Sequence, residues 1–188
     1  MAVHFRSYCL IGSLLGCLQA TALAAEVCVI SPRLSVMAKG QAQGVVAQAR
    51  PTLLVRERLD AIWIERNGRL EWQQQWPKGL AFEGPLRWPL KPLGAGEVVR
   101  LLLRPEGAMP GDVAIFQLRG APGRERARAQ LLVARLGADP AAWLVAIDQK
   151  LLQGEVPLAW ALLFATEAPS SAALNALRRE VFARGCAD

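Results

Sequence analysis

The feature that most constrains this chain is a change of hydrophobic period at Gly120-Ala121-Pro122-Gly123. Before that point, short apolar runs are separated by Gly- and Pro-containing turns, which is the spacing of strands. After it, apolar residues recur at three- and four-residue intervals between capping residues, which is the spacing of helices. A chain divided in this way is expected to be α+β. A small antiparallel immunoglobulin-like β-sandwich would occupy 26–120, and a C-terminal bundle of about four short helices, arranged as αα-hairpins, would occupy 121–188.

In the front part, strands are expected over 27–31, 51–57, 60–66, 97–104 and 112–119, with another short one ending at Trp88. Residues 38–43 are small and polar and read as a loop. The turn at Asn67-Gly68 marks a hairpin. A three-residue loop with Gly68 in the left-handed region would set Ile64 against Leu70 and Ile62 against Trp72, building one apolar face and opposing Glu65 to Arg69. Trp63 would then point to the other face. Trp72 is expected to be buried, and Trp76, before Pro77, to be exposed because the strand ends there.

In the back part, a helix over 123–136 is stopped by Gly137. Asp139-Pro140 gives an N-cap followed by proline at the first helical position, opening a helix that runs to Gln153. Its apolar stripe is Leu144, Ile147 and Leu151. A third helix over 157–166 is apolar all round and should be the most buried. Ser170 or Ser171 caps a fourth, with Leu174, Leu177 and Val181 inward. On the first helix, Arg124, Arg128 and Arg135 fall on one side at spacings of four and seven.

The N-terminal end reads as an export signal over 1–25. Arg6 precedes an apolar stretch too short to cross a bilayer, and Ala22-Leu23-Ala24 offers small residues for cleavage after Ala24 or Ala25. Leu14-Leu15-Gly16-Cys17 offers a second export route, a lipoprotein anchored through Cys17. Cleavage of the signal would leave two cysteines, Cys28 and Cys186, near opposite ends of the remaining chain. An even count in an exported chain favours a bridge between them. The expected location is the periplasm or the exterior, with no membrane-spanning segment after the signal.

Composition narrows the chemistry. The only histidine, His4, lies in the signal, so the region after residue 25 has none. That removes Ser–His–Asp and Cys–His nucleophile pairs, and with them the commonest metal ligand. No phosphate-binding loop, dinucleotide fingerprint or C-x-x-C pair occurs, so no cofactor and no metal site is expected. Carboxylates remain, since a glycosidase needs only two. Asp60, Glu65, Glu71, Glu83, Glu97, Glu106 and Asp112 are candidates by residue type. The formal net charge of the whole sequence is +6, with arginine far more frequent than lysine. Many of the arginines sit beside acidic residues, and nucleic acid is not an expected partner.

With Trp143 taken as an early aromatic, Gly154 as the inter-helix turn, Ala159 as the small residue and Leu163 as the later apolar one, 140–171 resembles a single imperfect tetratricopeptide-type repeat. Ile147, Thr166 and Pro169 depart from that pattern. The overall layout is a signal, strands opening with Arg50-Pro51-Thr52, a Trp-Pro turn and then αα-hairpins. It resembles a group of secreted proteins found mostly in cyanobacteria, and that resemblance implies no activity.

Three functions follow as expectations. The leading one is a non-catalytic interaction or scaffold module of the cell envelope, with Trp76, Arg124, Arg128 and Arg135 as partner contacts and another envelope protein as partner. The second is a module for carbohydrate or a cell-wall polymer, with Trp63 or Trp76 stacking on sugar beside Gln73, Gln74 and Gln75. The third is a histidine-free hydrolase using two carboxylates across a cleft.

Overall fold

A computed structural model describes residues 27–36 and 42–185. The expected signal, its cleavage residues Ala24 and Ala25, the anchor cysteine Cys17, and Cys186 lie outside the described residues. Among the described residues the fold is α+β, with two sheets and four helices.

Eight strands come first: β1 (Val29–Ser31), β2 (Ser35–Val36), β3 (Ala42–Val46), β4 (Leu54–Val55), β5 (Leu59–Arg66), β6 (Arg69–Gln75), β7 (Val98–Pro105) and β8 (Ala114–Gly120). Six of them form one sheet in the order β2-β3-β8-β7-β5-β6, while β1 and β4 make a separate two-stranded ribbon. The expected all-antiparallel arrangement fails at one place, because β3 runs parallel to β8, with Ala42 opposite Phe116 and Val46 opposite Gly120. β3 begins inside the stretch 38–43 that the sequence marks as a loop. Its sequence, Ala-Gln-Gly-Val-Val, carries little apolar patterning, and tertiary pairing supplies what propensity does not.

The β5–β6 hairpin differs from the expected register. Asn67 and Gly68 both have positive φ, 53° and 73°, so the connection is the two-residue turn that an Asn-Gly pair favours. Unmodified, that turn would put Ile64 out of phase with Trp72. An extra residue in β6, Glu71, shifts the ladder between Ile64 and Glu65 and restores the phase, so that Ile64 stands opposite Trp72 and Ile62 opposite Gln74. Trp72 packs against the core as expected, but half-buried, whereas Leu70, expected inside, is 53% exposed. The segment ending at Trp88 forms isolated bridges, Leu53 to Leu86 and Leu59 to Phe82, in place of a strand. Trp88 is nevertheless buried, and its indole N–H donates to the Lys91 carbonyl at 3.0 Å.

The helices are α1 (Gly123–Leu136), α2 (Pro140–Leu152), α3 (Val156–Leu163) and α4 (Ala172–Arg184). The caps stand where the residue types require. The Asp139 carboxylate accepts from the Ala141 N–H at 2.9 Å, and the Ser171 hydroxyl accepts from the Leu174 N–H at 3.2 Å. The buried face of α2 is Trp143, Ala146 and Ile147, displaced from the expected Leu144–Ile147–Leu151 stripe. Leu151 is exposed, and Trp143 is fully buried with its N–H on the Gly137 carbonyl.

Among the described residues there are two apolar cores. One lies under the six-stranded sheet, built from Ile62, Ile64, Leu101, Leu103, Leu118 and their neighbours. The other is helical, built from Trp143, Ile147, Ala159, Leu162, Leu163 and Leu174. The β1–β4 ribbon joins them through strand alternation. Val29, Leu53 and Val55 belong to the sheet core, while Ile30 and Leu54, pointing the other way, belong to the helical core. At the sheet margin, α3 packs on β3, and the Gln48 side-chain amide donates to the Ala161 carbonyl at 2.8 Å. The strand-to-helix switch itself requires glycine. At Gly120 the backbone carbonyl of Gly94 occupies the place a Cβ would take.

Candidate functional site: a cationic groove on the first helix

α1 opens at Pro122 and closes at Gly137, and its 3.6-residue period puts Arg124, Arg128, Leu131 and Arg135 on one face. The structure brings the three expected arginines into a single groove of about 420 Å³, lined also by Ala127, Leu132 and Lys150 of α2. The arginines are exposed, Leu131 is 60% exposed, and Leu132 and Lys150 are half-buried. No carboxylate lines the groove. Among the described residues, none of the three arginines makes an ion pair. Lys150 differs, because its ammonium is held by Glu155 at 3.1 Å and Gln153 at 2.8 Å. Lys150 had no signal in the sequence, since it belongs to another helix and only the packing of α2 on α1 brings it there.

Arg128 also lines a larger cleft of about 710 Å³ between the β3 margin and helices α1 and α3. Arg33, Arg119, Glu125 and Glu155 share its wall with Val45, Pro157, Leu158 and Ala161. Its charge is mixed, in contrast to the groove.

The tryptophans expected to bind ligand are not brought together. Trp63 lies on the sheet face turned away from the core, directly opposite Gln73, and the Arg104 guanidinium sits 5.6 Å from its ring centroid, covering one face of the indole. Trp76, expected to be exposed, is half-buried and packs on the sheet core. Its ring stacks on Phe82 with centroids 4.9 Å apart. The strand does end there, as expected, but 77–82 folds back and covers the indole.

The candidate carboxylates are mostly engaged in ion pairs. Glu65 meets Arg100 at 2.8 Å, and Glu106 and Glu83 flank Arg58 at 2.8 and 3.9 Å. Arg66, 2% exposed, is held between Glu71 at 2.9 Å and Glu97 at 2.7 Å, and it also donates to the Lys91 carbonyl. The Gly94 N–H donates to Glu97 at 2.6 Å. That bond, opposed by burial and aided by Arg66, holds the Glu97 carboxyl below the ordinary glutamate value. Asp60 accepts from the Gly107 N–H. None of the candidate carboxylates lines the large cleft, whose acids are Glu125 and Glu155. Burial pulls the Arg178 guanidinium down from its ordinary value, and its donation to the Leu163 carbonyl ties α4 to the end of α3.

Among the described residues, no three His, Cys, Asp or Glu side chains gather closely enough to hold a metal ion, and no helix is long and apolar enough to cross a membrane. No protein-family model matches the chain, and no curated protein or solved structure matches it significantly.

Proposed function

We propose that this chain is an exported, non-catalytic interaction module of the cell envelope that binds a protein partner through its helical half. One observation carries the proposal: Arg124, Arg128 and Arg135 line one groove whose lining holds no carboxylate and is interrupted by exposed Leu131. Arginine makes forked hydrogen bonds to carboxylates, and an apolar contact between charges adds area and register to such recognition. Under this proposal the β-region is a partial immunoglobulin-like sandwich, with the β1–β4 ribbon as its second layer. The shared core of ribbon and sheet supports that assignment. The α2–α3 hairpin is the proposed tetratricopeptide-type unit, supported by the complete burial of Trp143 and Ala159.

The test is a photo-crosslinking amino acid at Ala127, an exposed residue of the groove, activated in intact envelopes. A discrete protein adduct, absent when the same amino acid replaces exposed Leu80, is the expected result. No adduct, with the purified protein retained only on isolated cell wall, would overturn the proposal in favour of the carbohydrate module. The direct apposition of Trp63 and Gln73 on the open sheet face is the observation favouring that second function.

A further inference from the structure

The chemistry of the groove specifies its occupant more closely than the interaction module alone does. Arg124 and Arg135 are eleven residues apart on α1, about 16 Å along the axis. Arg128 and Leu131 lie between them on the same face. The groove lining contains neither an aromatic ring nor a side-chain amide. The groove therefore offers no ring on which a neutral sugar could stack. Its wall is mostly α1, with half-buried Leu132 and, from α2, the half-buried stem of Lys150. A flat bilayer surface would reach the exposed arginines but not those residues. A polypeptide side chain reaches both.

We propose that the groove receives an acidic segment of another polypeptide, its carboxylates meeting Arg124, Arg128 and Arg135 and an apolar side chain between them resting on Leu131 and Leu132. The inference rests on the interaction-module reading and adds the class of partner. Charge complementarity carries it: three cations without ion-pair partners among the described residues share one groove whose lining holds no carboxylate. Lys150 is already held by Glu155 and contributes mainly its methylene stem. The neighbouring cleft mixes Arg33 and Arg119 with Glu125 and Glu155, and so it would not select for acidic chains.

The experiment measures fluorescence anisotropy of a labelled synthetic peptide in which glutamates flank a central pair of leucines. The purified protein is titrated into it, and a second peptide with every glutamate changed to lysine serves as control. Binding of the acidic peptide alone, weakened by added salt, is expected. Arg124→Glu, Arg128→Glu and Arg135→Glu combined should weaken it on the order of tenfold or more, and the triple variant should gain affinity for the lysine peptide. These residues are exposed, and an unchanged circular dichroism spectrum checks that the variant folds. The milder Leu131→Asn should weaken binding without altering the salt dependence. Equal binding of both peptides, or affinity unchanged by the triple reversal, would overturn the proposal. So would stronger, reversal-sensitive binding to vesicles of anionic phospholipid. If the Ala127 crosslink captures a protein while the acidic peptide does not bind, the interaction module stands and the acidic class falls.

Discussion

Leu54→Ala tests whether the ribbon is the layer that joins the two cores. Leu54 is 5% exposed and belongs to the helical core, although it lies on a strand beside Leu53 and Val55, which belong to the sheet core. The substitution deletes three carbon groups, whose transfer is worth about 0.8 kcal/mol each, or about 2.4 kcal/mol together. The cavity left behind adds to this, because the ribbon is held on both faces and cannot collapse freely, so the expected loss is about 3–4 kcal/mol. Leu53→Ala, 3% exposed and pointing the other way, should cost a similar amount. Urea unfolding followed by far-ultraviolet circular dichroism and by tryptophan fluorescence measures both losses. Trp72, Trp76 and Trp88 stand at the sheet core and Trp143 and Trp160 at the helical core, so fluorescence follows the loss of both. Hydrogen exchange then separates the two variants: Leu54→Ala should loosen α2 and α3, and Leu53→Ala should loosen β5 and β7. A loss below about 1 kcal/mol for Leu54→Ala, or enhanced exchange confined to the sheet, would refute the shared-layer argument.

Four further outcomes are expected. Arg66→Ala leaves Glu71 and Glu97 facing each other without their cation and should cost about 3 kcal/mol in urea unfolding, at the low end for a broken buried pair because both acids still reach water. The same cluster sets a pH dependence. The Glu97 carboxyl is held below 4.5, so its contribution is fully present above that value and is lost as pH falls through the lower folded-state value. Acid titration of the unfolding midpoint should therefore show a decline that Glu97→Gln flattens. Gly120→Ala should destabilise the switch between β8 and α1, since the Gly94 carbonyl must move, and thermal unfolding should show a midpoint lowered by several degrees or more. The bridge proposed between Cys28 and Cys186 closes nearly the whole chain, and the carbonyl of Gly185, beside Cys186, accepts from Arg33 near Cys28 at 3.0 Å. Thiol titration of the denatured, oxidised protein should find neither cysteine reactive, and reduction should cost up to about 5 kcal/mol.

Much of the layout was legible in the sequence because it rests on local rules. The helices follow from Asp139-Pro140, Ser171, Gly137 and Gly154, where capping chemistry and positive φ are properties of the residues themselves. The arginine face of α1 was equally readable, since a helix repeats regardless of what surrounds it. Non-local matters escaped. β3 became a strand only because β8 offered it a parallel partner. The hairpin register turned on one extra residue, Glu71, whose place is set by the core's need to keep Ile64 and Trp72 on one face. Trp76 was covered by Phe82, a residue whose position depends on how 77–82 folds back.

The sequence by itself determined where strands give way to helices, where the helices begin and end, and which face of α1 is cationic, because each depends on contacts within a few residues. Only the tertiary structure decided that the β1–β4 ribbon serves two cores, that Lys150 joins the wall of the arginine groove, and that no carboxylate lines it. Those depend on which surfaces meet, and that is settled by burial of apolar area between segments far apart in the chain.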